Sequence, residues 1–246
     1  MIDVILTGDV LKTISKAMVA LVSEARFHFK REGFHSRAVD PANVAMVIVE
    51  VPAESFEAYT VEGEEEEEVI GVDVNRIHDI SKTIKSKELV ELKVEDAEMI
   101  VKFGSVQYSV QLIDPSAIRK EPKVPNLDLP AKIVLDAGEF KKVITAADKV
   151  SDHVVFRSDD TGFYIEAKGD VDRIEFHMSE AELIEFNKAV ARSMFSVEYL
   201  KEFVKVAGSG DLLTIHLGTN YPVRLVFDVC DGKVKVEYIL APRIEE

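Results

Sequence analysis

Tryptophan is absent from this chain, and cysteine occurs once, as Cys230. A lone cysteine excludes an intramolecular disulfide framework and a CxxC metal knuckle, and it fits a reducing, intracellular compartment. No apolar run approaches the ~18 residues that a membrane helix needs. Met1-Ile2-Asp3-Val4 opens without a basic stretch and an apolar h-region, so no secretion signal is expected. Positive charge is also scarce: 30 Lys and Arg stand against 45 Asp and Glu, a formal net charge of −15. Spread evenly, that charge would repel phosphate and argue against nucleic acid.

Catalytic signatures are missing as well. His28, His35, His78, His153, His177 and His216 form no HExxH and no close i, i+4 pair, so strand or surface placement is expected and no metal site. Gly169-Asp170-Val171-Asp172 has the composition of a turn. Gly208-Ser209-Gly210-Asp211 lacks the Lys-Ser/Thr that completes a phosphate loop, and no GxSxG elbow occurs. Nothing assembles an acid, a base and a nucleophile, so neither an enzyme nor a cofactor is expected.

What the chain does have is an internal repeat. Leu11, Phe27, Gly33-Phe34 and Ala38 match Phe140, Phe156, Gly162-Phe163 and Ala167, all 129 residues on. Val74, Ile80, Leu89 and Leu92 match Val197, Phe203, Leu212 and Ile215, all 123 residues on. A charged loop insertion at Glu64 to Glu68 would explain the difference of six. Two tandem domains of roughly 120 residues follow, a pseudo-symmetric scaffold in place of one catalytic pocket.

Each half carries two helical patterns among alternating strands. Val10, Leu11, Ile14, Ala17, Met18 and Leu21 recur at helical spacing, with Thr7 and Asp9 to cap the start; a shorter helix opens at Asp73. Their counterparts follow Gly138 and Ser196, and Gly208-Ser209-Gly210 stops the last. Segments 25–29, 106–112, 154–157, 174–178, 214–217 and 234–240 alternate as half-wet antiparallel strands, with turns at Gly33, Gly162 and Asp231-Gly232. The fold class is α+β, two tandem similar domains of antiparallel sheets with two helices each: 1–114 and 131–246. Four prolines between 114 and 130 make 115–130 an extended connector. It is either a spacer or, through Leu127 and Leu129, part of a partner groove.

The scarce cations gather on the helices. Lys12 and Lys16 are four apart; His78, Lys82 and Lys85 follow at four and three; Lys141 or Lys142 lies about two turns before Lys149; Lys201 and Lys205 are four apart. Acids Asp9, Asp73, Glu139 and Glu198 sit in caps or first turns, where the helix dipole favours them, while Asp79, Asp148 and Glu202 break the pattern. One such face alone is an ordinary solvated surface. Four in duplicated positions could touch phosphates without reading bases. A duplicated α+β enzyme or small-ligand protein with a pocket between the halves is the other architecture this pattern allows; mass in solution separates the two.

The segments His35 to Met46, Leu127-Asp128-Leu129-Pro130, Gly218-Thr219-Asn220-Tyr221-Pro222 and Tyr238 to Glu245 resemble the PCNA family of DNA polymerase sliding clamps, above all the archaeal ones. The resemblance spans essentially the whole chain. It implies the DNA clamp fold and a homotrimeric ring that encircles duplex DNA, without catalysis of its own. The lysine sets would face the DNA. Partners would include DNA polymerase, clamp loader, flap endonuclease, ligase and other proteins bearing a PIP box, and the setting would be cytoplasmic and nucleoid-associated. By the same resemblance the PIP-box groove comprises Val39, Asn43, Val44, Met46, Leu127, Leu129, Pro222, Ile239, Ala241 and Pro242. Subunits would join by edge strands, with Tyr108, Val110 and Leu112 of one copy against Ile174, Phe176 and Met178 of the next.

Overall fold

The computed structural model describes residues 1–62 and 67–244. The first half runs β1 (Ile2–Thr7), α1 (Gly8–Val19), β2 (Glu24–Lys30), β3 (Gly33–Val39), β4 (Ala45–Pro52), β5 (Ala58–Val61), β6 (Glu67–Asp73), α2 (Val74–Lys82), β7 (Leu89–Glu95), β8 (Glu98–Phe103) and β9 (Val106–Gln111). The second repeats the order: β10 (Ala131–Asp136), α3 (Ala137–Ala147), β11 (His153–Ser158), β12 (Gly162–Lys168), β13 (Arg173–Ser179), β14 (Glu185–Asn187), β15 (Ala191–Ser196), α4 (Val197–Phe203), β16 (Leu212–Leu217), β17 (Val223–Val229) and β18 (Val234–Leu240). Two compact units result. One comprises Met1–Pro41, Val47–Lys123 and Cys230–Val236; the other comprises Ala42–Met46, Val124–Val229 and Glu237–Glu246.

In the first unit the strands order as β5–β1–β7–β8–β9 and β4–β3–β2–β6; in the second, as β14–β10–β16–β17–β18 and β13–β12–β11–β15. Registers repeat too. Val4 pairs with Leu92 and Phe27 with Ile70; their counterparts Ile133 and Phe156 pair with Ile215 and Ser193. One partner of each pair comes from the block displaced by 129 and the other from the block displaced by 123, so both displacements belong to one duplication. The difference of six is spread out: Ala58 and Glu185 are already only 127 apart. The acidic run therefore does not explain all of it. Glu64 to Glu66 lie outside the described residues, as does Glu245, but Glu67 and Glu68 belong to strand β6, paired with Lys30 and Phe29.

Buried positions recur every three or four residues along each helix: Val10, Leu11, Ile14, Ala17 and Met18 in α1, and Phe140, Val143, Ile144 and Ala147 in α3. The caps differ from expectation. Thr7 donates its hydroxyl to Asp9 instead of accepting from the helix. Gly138 lies inside α3, which is capped by Asp136 accepting from the Glu139 amide at 3.1 Å. Asp73 caps α2 as expected, accepting from Arg76 at 3.0 Å. Helix α4 gives way after Phe203 to a 3-10 turn over Val204–Val206. In the second unit Phe156 packs against Phe140, Phe163 and Phe195, with ring centroids 5.7, 5.9 and 5.1 Å away. The first unit holds Leu11, Phe27, Phe34 and Val72 at the same places, also buried. Gly33 and Gly162 keep their place because a Cβ there would come 2.3 Å from the Val51 carbonyl and 2.2 Å from that of Met178.

Candidate functional site

Within each unit the two helices lie side by side, α1 against α2 and α3 against α4. Small residues allow the close approach in the first unit: the Ser15 hydroxyl is 3.1 Å from that of Ser81 and 3.3 Å from Nδ1 of His78. Lys12 and Lys16 project from α1 half-buried, and Lys82 is exposed at the end of α2. Lys85 lies beyond α2, Lys149 beyond α3 and Lys205 in the 3-10 turn, so these three are off the α-helices on which the spacing placed them. Burial, then Lys82 and Lys16, hold the His78 pKa below its ordinary value.

Ion pairing sets the units apart. In the second, Lys142 meets Glu139 at 3.7 Å, Lys149 and Lys201 share Asp148 at 3.6 and 2.9 Å, and Lys205 meets Glu202 at 2.5 Å. Lys141 donates to the Ala207 carbonyl at 3.1 Å. In the first, Lys82 meets Asp79 at 2.9 Å, whereas Lys12 and Lys85 form no ion pair among the described residues. An i, i+3 pair between exposed groups is weak and screened by solvent, so a phosphate can displace it. It still lowers the local field.

The groove residues gather mostly in the second unit. Val44 accepts a hydrogen bond from the Ala241 amide at 2.9 Å, which joins the Ala42–Met46 segment to the end of the chain. Asn43 is exposed in the left-handed region, φ 58°. Leu127, Leu129 and Ile239 line a cleft of about 160 Å³ beneath the connector, and Leu129 also lies against Gly218, four residues before Pro222. Met46 and Ile239 are nearly covered, while Pro222, Ala241 and Pro242 are half-buried. Val39 belongs to the first unit and lines a different, smaller cleft with Ile118 and Lys120.

The cleft also holds residues that sequence reasoning missed: Val124, His216, Arg224 and Glu237. Arg224 grips Glu237 with two hydrogen bonds, 2.8 and 2.7 Å, and the carboxylate is buried. Burial, with Arg224 and Lys132 nearby, keeps His216 below its ordinary pKa. The signal available was Glu237 itself, a charge between buried Val236 and Tyr238 that must find a partner.

Strands β9 and β13 each end a sheet and so leave one row of backbone groups unpaired within their own sheets. Tyr108 stacks on Phe103 at 6.1 Å with Arg76 over its ring at 5.9 Å. Val110 does not belong to this surface: it is 5% exposed and faces the core of its unit. Leu112 lies just past the strand, its amide bonded to Ala97. Ile174, Phe176 and Met178 alternate along β13, half-buried, and Ile174 opens onto a cavity of about 460 Å³ with Val155, Ala167 and Met194. No helix among the described residues is long and apolar enough to cross a membrane.

Residues 1–112 match the N-terminal domain, and residues 123–243 the C-terminal domain, of the family described as proliferating cell nuclear antigen. A DNA polymerase sliding clamp of Archaeoglobus fulgidus is 72% identical over 246 residues, covering 100% of this chain and 99% of that protein. That of Methanothrix thermoacetophila is 40% identical over 248 residues and covers both in full. A solved structure of the C-terminal region of FEN-1 bound to A. fulgidus PCNA superposes with a TM-score of 0.97 at 72% identity, covering 100% of each chain. PCNA from Thermococcus kodakaraensis, at 24% identity, has the same fold with a TM-score of 0.90, covering 99% of this chain and 100% of that one. Every element of the duplicated architecture lies within these matches, and the chain belongs to the proliferating cell nuclear antigen family of DNA polymerase sliding clamps.

Proposed function

We propose that three copies of this chain close head to tail around duplex DNA and tether DNA polymerase and other replication and repair enzymes to it, a binding role with no chemistry of its own. The observation that carries this reading is the pair of unlike sheet edges, β9 and β13, one in each unit. Two different edges on one chain make a heterologous contact, which propagates until a rotation closes it into a ring. Tyr108 on one edge and Ile174, Phe176 and Met178 on the other supply apolar contact. The helix lysines Lys12, Lys16, Lys82, Lys85, Lys141, Lys142, Lys149, Lys201 and Lys205 would then meet phosphates. A ring need not bind tightly, because the DNA cannot leave sideways. Weak, salt-sensitive, sequence-independent contacts suffice and permit sliding.

Partners would dock through a PIP box on the groove formed by Asn43, Val44, Met46, Leu127, Leu129, Pro222, Ile239, Ala241 and Pro242. Apolar side chains beside an extended backbone suit a short helical turn with aromatic anchors. The A. fulgidus relative, solved with a FEN-1 C-terminal region, supports a flap endonuclease tail as one such partner. DNA polymerase, ligase and the clamp loader are proposed on the family's behaviour, in a cytoplasmic, nucleoid-associated setting. Light scattering should give three times the 27.5 kDa chain mass, and the protein should be retained on circular DNA but run off linear DNA. A monomer, or equal retention on both, sinks the ring. Leu127→Ala with Ile239→Ala should weaken a PIP peptide at least about tenfold in a titration, the scale of one missing anchor; unchanged affinity removes the groove.

A further inference from the structure

Across the β2–β3 hairpin His28 stands directly opposite His35, their rings stacked 4.6 Å apart. Glu121, from the start of the connector, closes the third side, and the donor atoms of all three lie within 4.8 Å of one another. His28 Nδ1 is hydrogen-bonded to Oε1 of Glu67 at 2.8 Å. A carboxylate accepts only, so Nδ1 donates to Glu67, and Nε2, facing the second carboxylate, holds either a proton or another cation. That Nε2 is buried and makes no hydrogen bond, although Oε1 of Glu121 stands 2.9 Å away, out of line for one. Two carboxylates on one ring call for positive charge there, supplied by a proton on Nε2 or by a metal ion bound to it.

We propose that His28 Nε2, His35 and Glu121 bind a divalent transition metal of the zinc class, which clasps the first part of the connector to the β6–β2–β3 sheet. Ligands bound to one zinc at about 2.0–2.1 Å stand roughly 3–3.4 Å from each other, close to the gap between Nε2 and Oε1. The surroundings are those that orient metal ligands. Glu67 on the far nitrogen of His28 completes a carboxylate–histidine–metal arrangement, and Arg37 holds the second oxygen of Glu121 at 3.1 Å. Two imidazoles and one carboxylate select zinc over magnesium or calcium, which prefer oxygen alone. Arg37 and Lys30, the latter 3.5 Å from Glu67, each answer one carboxylate, which leaves the nitrogen donors to favour the ion.

The full-length protein, stripped with a chelator and dialysed, is titrated with zinc chloride while bound metal is counted. One zinc per chain is expected, and cobalt(II) in its place should give the visible absorption of a four-coordinate nitrogen and oxygen site. His35→Gln should lower the affinity at least tenfold, and Glu67→Gln by about 10–100-fold, the usual effect of removing a carboxylate behind a ligand. Glu121→Gln serves as the third variant should His35→Gln fail to fold. No uptake, an octahedral cobalt spectrum, or uptake that ignores every variant overturns the proposal and leaves only a proton at Nε2. None of these readouts depends on ring closure or on DNA.

Discussion

The two helix pairs share one plan and differ in what they do with charge. On or beside α3 and α4, Lys142, Lys149, Lys201 and Lys205 are answered at short range by Glu139, Asp148 and Glu202; on or beside α1 and α2, Lys82 has such an acid, Asp79, while Lys12 and Lys85 form no ion pair among the described residues. The cores diverge the other way. The second unit clusters four phenylalanines where the first has Leu11, Phe27, Phe34 and Val72. Duplication thus preserved what the sheets read, namely register and burial, and released what they do not read: surface charge and the shape of the core filler. On the proposed function, the first unit is the stronger electrostatic half of each subunit and the second is the more tightly interlocked.

The largest effect should come from the cores. Phe156→Ala removes a ring that touches three others and should cost about 3–5 kcal/mol, whereas Phe27→Ala, edge-on to Phe34 among aliphatic neighbours, should fall at the lower end of that range. Urea unfolding at fixed protein concentration measures both, and equal losses would break the comparison of cores. Next in size, Lys12→Glu with Lys85→Glu should weaken binding to linear duplex about tenfold and flatten its salt slope by about 0.9 for each phosphate no longer neutralised, while Lys142→Glu with Lys205→Glu should cost about twofold. Anisotropy titrations across salt concentrations decide this; a larger effect from the second pair reverses the electrostatic ranking. The smallest difference lies in the caps. Asp136→Ala should destabilise by about 1 kcal/mol and Thr7→Ala by a few tenths, because only Asp136 accepts from its helix. Thermal midpoints that move equally would show the Thr7–Asp9 hydrogen bond to be worth as much as a cap.

Sequence spacing revealed the duplication because buried positions cannot drift: Phe27 and Phe156 hold the same place against the same strand in each copy. The four helices were legible for the same reason. Ion partners were not, since Asp148 and Lys201 meet only after 53 residues of chain have folded. Val110 shares its face of β9 with Tyr108, both opposite buried residues of β8, but burial deepens along the strand from half-buried Tyr108 to Val110, which alternation alone does not reveal. The histidine pair was legible and went unread. A turn at Gly33 pairs it with Lys30 and so sets His28 opposite His35. Glu121 could not have been found, because the connector has no periodicity to place it.

The shared register across β2–β6 and β11–β15 has a practical consequence. Residues 62–66 join β5 to β6, whereas 188–190 join β14 to β15, yet the strands on either side pair alike. A connection whose length the ladder does not sense is a place where a gene can gain or lose codons without losing its protein. Closing a loop twice as long costs only about 0.6 kcal/mol. The 188–190 connection, largely exposed between β14 and β15, is accordingly a position at which a reporter peptide or a fluorophore could be spliced into each subunit while the hydrogen-bond ladder beside it stays in step.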